Sequence, residues 1–159
     1  MKPEVAAEVG TLEDPLSLDR QVCFPLYAAT NLLTRLYRPV LSELGLTYPQ
    51  YLVMLVLWES EALSVGALGA RLYLDSGTLT PLLKRMEANG LVTRQRDPDD
   101  ERRVMIGLTK KGRSLRQRAL HVPETIADGR SPQGIDELRE SVRRLVTTLA
   151  ADRMGDETS

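Results

Sequence analysis

Residues 75–103 carry four structural signals in unbroken order, and they limit the fold more than anything else in the 159-residue chain. Leu79, Leu82, Leu83 and Met86 recur at the i, i+3, i+4, i+7 spacing of a helix with one apolar side. At about 100° per residue, Gly77, Thr80, Pro81, Lys84 and Arg85 fall on the other side, small near the start and basic near the end. Such a face can come close to a phosphate backbone. Asn89-Gly90 stops the helix, because both residue types tolerate left-handed backbone. Leu91–Arg96 and Val104–Leu108 then read as strands, and Asp97–Arg103 between them is too charged to bury.

Helix, strand, charged turn, strand is the layout of a winged helix-turn-helix. In that fold the helix enters the major groove of a duplex and the hairpin tip reaches the adjacent minor groove. The net charge of −1 looks wrong for a DNA binder until the chain is divided. Lys84 to Arg118 holds eleven Lys/Arg and five Asp/Glu, a local +6, against −7 over the remainder. A field segregated in this way draws a polyanion to one face only. Arg94 and Arg96 on the first wing strand join the candidate DNA-facing set. The 4% aromatic share argues against a stacking surface for single strands.

One cysteine excludes an intramolecular disulfide, and with a single histidine, His121, it leaves no basis for a zinc site. No cofactor is expected. No apolar run reaches membrane-spanning length and no signal-peptide pattern opens the sequence, so a soluble cytoplasmic protein is expected.

The expected architecture is mainly α with a small β-wing. Residues 1–14 lack an apolar period and read as a mobile tail, and 15–47 as an N-terminal dimerisation and sensor helix. Leu18, Val22, Leu26, Ala29, Leu33, Leu36 and Val40 form its seam. Pro25 and Pro39 leave two alternatives: a helix kinked at both, or one whose body starts near Phe24 with Pro25 in its first turn. Residues 48–108 form the DNA-binding unit. Thr47 or Tyr48 precedes its first helix, Ser64 caps a short second one, and Asp75 or Ser76 caps the third, with Pro81 able to delay that helix by a turn. Trp58 reads as core. Thr109 caps a basic helix in which Gly112 is weakly unfavourable. Pro123 bends or ends that helix, and Gly129–Gly134 reads as a break. Ile135, Leu138, Val142, Leu145 and Leu149 stripe a last helix, so that 109–153 form C-terminal dimerisation helices and 154–159 a frayed tail. Apolar seams at both ends of the chain suggest a homodimer, and a two-fold dimer suits an inverted-repeat operator in double-stranded DNA.

From Leu18 to Leu149 the chain resembles the MarR family of winged-helix regulators, and within it the organic hydroperoxide repressors (OhrR) of the one-cysteine type. The likeness is densest at Val22-Cys23-Phe24, Leu46–Leu52, Leu72–Met86 and Asp100-Glu101-Arg102. The resemblance implies that Cys23 is a sensing cysteine whose thiolate attacks an organic hydroperoxide to give a sulfenic acid. It implies that Tyr37 and Tyr48 hydrogen-bond that sulfur from the opposite subunit. Ser76, Gly77, Thr78, Lys84 and Arg85 would lie on the recognition helix, and Arg102, steadied by Asp100, would enter the minor groove.

Helix geometry agrees with a cross-subunit site. Cys23 and Tyr37 are fourteen positions apart, about 40° off one helix face but roughly 21 Å along the axis, so they cannot touch within one chain. Tyr27, Thr30 and Thr34 share the intervening face. A branch of the resembled group carries a second, resolving cysteine near position 128, where this chain has Asp128. That leaves further oxidation, a mixed disulfide with a small thiol, or a sulfenamide as fates of the oxidised sulfur. Two competing functions are a MarR-type repressor released by a phenolic or other apolar ligand with Cys23 structural, and a thiol peroxidase. The second is opposed by the lone cysteine and the absence of a turnover constellation.

Overall fold

The computed structural model describes residues 14–128 and 131–156. Apart from Asp14, the expected N-terminal tail lies outside the described residues, as do 157–159 at the other end. A 3-10 turn, Leu18–Arg20, leads into α1 (Cys23–Ser42), α2 (Tyr48–Ser60), β1 (Ala62–Ser64), α3 (Val65–Leu72), α4 (Ser76–Ala88), β2 (Val92–Arg96), β3 (Val104–Leu108), α5 (Lys110–Ala119), α6 (Val122–Ala127) and α7 (Pro132–Asp156). The strands form one antiparallel sheet in the order β1-β3-β2, with Val92 opposite Leu108, Arg96 opposite Val104 and Leu63 opposite Ile106.

Local chemistry explains most of the boundaries. The first helix takes the second of its two alternatives: its body starts at Cys23 and runs through Pro39 to Ser42. Pro25 sits in the first turn, where its missing N–H removes no helical bond. The Thr47 hydroxyl accepts from the Gln50 N–H while the Gln50 side chain accepts from the Thr47 N–H, a reciprocal cap at the head of α2. Ser64 and Asp75 cap α3 and α4 by accepting from Ala67 and Thr78. That contact, with Thr78, holds the Asp75 carboxyl below its ordinary range.

Four expectations are corrected, and one element is additional to them. Pro81 does not delay α4, which is regular from Ser76. Gly90 alone takes positive φ at the helix stop, whereas Asn89 stays at φ −80°. β1 was not foreseen. α7 begins at Pro132, inside the expected break, because proline is tolerated in a first helical turn. Its helix also continues past residue 153 to Asp156.

Buried side chains from α1 to α6 and the sheet make one core: Leu41, Met54, Leu57, Leu68, Leu79, Leu83, Met86, Ile106 and Val122 among them. α4 contributes Leu79, Leu82, Leu83 and Met86, the apolar stripe read from spacing. At roughly 1.5–3 kcal/mol per buried aliphatic side chain, this stripe fixes which face of α4 is left outside. Two glycines let the elements close up. A Cβ on Gly69 would stand 2.5 Å from the Leu74 carbonyl oxygen, so the α3–α4 turn packs directly on the α3 backbone. A Cβ on Gly112 would stand 2.2 Å from the Leu91 carbonyl oxygen. Gly112, read as a mild helix defect, is thus what lets α5 touch the root of the wing.

Gly112→Ala is expected to lower unfolding free energy by about 2 kcal/mol or more, because overpacking against backbone outweighs the gain in helix propensity; a urea midpoint equal to or above wild type would contradict the close approach. Asp75 has a depressed carboxyl pKa, so its contribution is present above the unfolded-state value and lost as pH falls through the folded one. The stability advantage of wild type over Asp75→Ala should therefore shrink between neutral pH and strongly acidic pH, measured by urea unfolding at both.

Candidate nucleic-acid interface and sensor cysteine

The outer face of α4 carries the predicted recognition set. Ser76, Gly77, Thr78, Lys84 and Arg85 are exposed and Thr80 is half-buried. Among the described residues, Lys84 and Arg85 form no ion pair. The helix therefore presents hydroxyls and a glycine near its N-terminus, where the Asp75 carboxylate takes the Thr78 N–H, and two cations without an ion-pair partner toward its end.

The wing is β2, β3 and the charged turn between them. Its tip is knotted by short-range bonds: the Asp97 N–H donates to the Arg103 carbonyl at 2.9 Å, and the Arg103 N–H to the Asp100 carbonyl at 2.9 Å. The Asp100 carboxylate accepts from the Arg102 N–H at 3.1 Å and stands 4.0 Å from its guanidinium. The Arg102 side chain, 96% exposed, is thereby aimed away from the domain by a turn that is itself held. Arg96 donates to the Glu101 carbonyl at 2.8 Å and stiffens the hairpin from its outer strand. Arg94 is placed differently from the other predicted arginines. It is partly buried, 3.5 Å from Glu87 of α4, and its Nε is sealed from solvent with no hydrogen-bond partner.

Arg94, Arg102 and Arg103 border one cleft of about 410 Å³ between the wing and the starts of α3 and α4, together with Ser64, Ser76 and Thr80. Sequence reasoning treated Arg103 and Ser64 as turn and cap residues. Only the folding of β1 beside β3, which brings the head of α3 against the wing, shows that they share a cleft.

The residues expected to form a sensor lie on α1 and the head of α2. Cys23 is a free, exposed thiol at the first residue of α1, where no side chain caps the helix. Tyr27 is exposed one turn on. Tyr37 lies near the far end of α1, its ring 4.9 Å from that of Tyr48 and 6.0 Å from that of Tyr51. Burial pushes the phenols of Tyr48 and Tyr51 above their ordinary range, and the neighbouring Tyr37 and Tyr48 add to the effect at Tyr51. Both therefore remain protonated donors across the neutral range. α1 is continuous between Cys23 and Tyr37, so the structure keeps them apart within the protomer, as the spacing requires.

Long apolar side chains remain bare beside them. Phe24, Tyr27, Leu32, Leu33 and Leu36 are exposed on α1, and Leu138, Val142 and Leu149 on α7. Isolated exposed leucines are ordinary, but a run along two helices is not. Among the described residues, no helix is long and apolar enough to cross a membrane.

Comparison with known proteins places this geometry. Residues 35–119, from late α1 through the wing to the end of α5, match the family model described as transcriptional regulator SarA/Rot. The chain is 49% identical to the organic hydroperoxide resistance transcriptional regulator of Bacillus subtilis over 136 residues, 86% of this chain and 92% of that one. It is 53% identical to the regulator TtmR of Methylorubrum extorquens over 146 residues, covering 92% of this chain and 74% of that one. A solved structure of reduced AbfR bound to DNA, a Staphylococcus epidermidis protein, superimposes with a TM-score of 0.72 at 36% identity, over 84% of this chain and 93% of that one. These relatives are regulators and not enzymes. With a winged-helix core, a three-stranded wing sheet and a single cysteine at the head of the first helix, the chain belongs to the MarR family of winged helix-turn-helix transcriptional regulators, in the group of organic hydroperoxide resistance regulators.

Proposed function

We propose that two copies of this chain pair through α1 and α7 into a cytoplasmic repressor that holds an inverted-repeat operator until an organic hydroperoxide oxidises Cys23. The α4 helices of the dimer lie in successive major grooves and each Arg102 enters the neighbouring minor groove. The observation that carries the reading is the position of Cys23: an exposed thiol at a helix start, on the helix whose apolar face is bare, and separated along that helix from the Tyr37–Tyr48 pair. An antiparallel partner α1 brings the sulfur of one subunit to the phenols of the other. Its relatives, among them a hydroperoxide resistance regulator and a DNA-bound reduced AbfR, support the same reading.

The chemistry balances without a cofactor. The thiolate attacks one peroxide oxygen, the O–O bond breaks, an alcohol leaves after taking a proton, and the sulfur becomes a sulfenic acid. A small thiol can then displace water to give a mixed disulfide, or the Phe24 backbone nitrogen can do so to give a sulfenamide. Asp128 stands where a resolving cysteine would have allowed an intersubunit disulfide. The larger adduct disturbs the phenol hydrogen bonds and displaces α1. Recognition helices must match grooves about 34 to 36 Å apart, so a displacement of a few ångströms lowers affinity. Release by a phenolic ligand with Cys23 structural is the weaker reading, because a relative 49% identical to this chain is an organic hydroperoxide resistance regulator.

On an inverted-repeat duplex selected from random sequence, wild type treated with cumene hydroperoxide is expected to dissociate and Cys23→Ser to stay bound in a gel shift; a Cys23→Ser protein that leaves the duplex removes the sensor from the account. Arg102→Ala should weaken binding by roughly tenfold and flatten its salt dependence, read by fluorescence anisotropy across a salt series. Unchanged affinity and slope would take the wing tip out of the interface.

A further inference from the structure

The cleft between the wing and the helix starts is more than a gap beside the recognition surface. Three arginines, Arg94, Arg102 and Arg103, line it, and no acidic residue does. Each has one acidic neighbour outside the cleft, at 3.5 Å for Glu87, 4.0 Å for Asp100 and 3.7 Å for Asp97. These separations exceed the 2.7–2.9 Å or so of a charge-assisted hydrogen bond, so the positive charge is only loosely compensated. The opposite wall is made by the heads of two helices. Ser64 and Gly66 stand at the N-cap and first turn of α3, and Ser76 is the first residue of α4. The head of α3, capped by a neutral hydroxyl, turns its partial positive charge toward this volume, while the charge at the head of α4 is offset by its capping carboxylate, Asp75.

We propose that this cleft seats one phosphodiester of the DNA backbone, with Arg94 and Arg103 as its cationic clamp. The proposal rests on the reading above that the chain binds duplex DNA. The occupant follows from what the walls do. α4 lies in a major groove and the wing tip in the adjacent minor groove, and the only part of a duplex that separates one groove from the next is a sugar–phosphate strand. A cleft open between those two elements must straddle that strand. Glu87 then acts as the counter-ion that Arg94 relinquishes when the phosphate arrives.

The test uses the full chain, reduced, on the selected inverted-repeat duplex, with affinity followed across a salt series. Arg103→Gln is expected to weaken binding five- to tenfold and to reduce the magnitude of the salt slope by about 0.9 per subunit, the value for one lost phosphate contact. Glu87→Gln is expected to tighten binding a few-fold. Gly66→Glu gives an independent arm. A Cβ at this position meets nothing within 4 Å, and a carboxylate in the first turn of α3 favours the helix, so thermal stability should hold while binding falls tenfold or more. A purely structural role for the cleft would move stability and leave the slope alone. A duplex with neutral methylphosphonates at the linkages between the two grooves should bind wild type as weakly as the unmodified duplex binds Arg103→Gln, with no further loss when both changes are combined. If wild type binds but Arg103→Gln and Gly66→Glu keep its affinity and slope, the phosphate seat is overturned and the regulator reading stands. If wild type ignores the duplex, the regulator reading falls, and this one with it.

Discussion

One junction fixes the wing relative to the recognition helix, and everything proposed about DNA depends on it. The Thr109 hydroxyl donates to the Gly90 carbonyl at 2.6 Å, lies 3.1 Å from that of Leu91, and accepts from the Gly112 N–H at 3.0 Å. The Gly112 carbonyl in turn accepts from the Trp58 indole at 3.0 Å. Four elements meet there: the end of α4, the root of β2, the head of α5 and α2. A charged hairpin on a flexible stalk would reach many places on a duplex. Held at its root by bonds to the stop of α4, it reaches one, at a set distance from the helix.

The same logic extends back to α1. Its last turns bury Val40 and Leu41 in the common core, and the Arg118 guanidinium of α5 donates to the Glu43 carbonyl at its end, at 2.7 Å. A cation at a helix C-terminus satisfies an orphan carbonyl and suits the local partial negative charge. α1 thus enters the DNA-reading unit as a packed member at one end, while its other end, with Cys23, stands clear of that core. In the proposed sensor, a displacement at the cysteine would be carried by a continuous helix toward the α2 and α5 contacts. A mobile linker would dissipate it; a packed helix end has fewer ways to do so.

Much of this was readable in the residues, for identifiable reasons. The 3–4 spacing of Leu79, Leu82, Leu83 and Met86 gave the buried face of α4, and Thr47, Ser64, Asp75 and Thr109 gave the helix starts, because capping is local chemistry. Features that depend on distant partners were not legible. Three-residue β1 is too short to show alternation and exists because β3 offers it an edge. Gly112 looked like a helix defect until Leu91 was brought beside it. Trp58, read as core, is partly exposed and spends its polar edge on α5. In the candidate site, exposure of the α4 face followed from the helix period, whereas the sequestration of Arg94 beside Glu87 needed the register of β2 against α4.

α7 raises a different matter. Among the described residues, α7 makes no extensive contact with another element, and Leu138, Val142 and Leu149 along it stand open to water. A helix in that position draws little stability from its own protomer, and intrinsic propensity alone supports it only marginally. Its ordering is therefore tied to whatever covers it. If the cover is a second copy, as proposed above, helical content at the C-terminal end becomes a function of how concentrated the polypeptide is, and completing the fold becomes a second-order event, governed as much by how many copies a cell makes as by the sequence of any one of them.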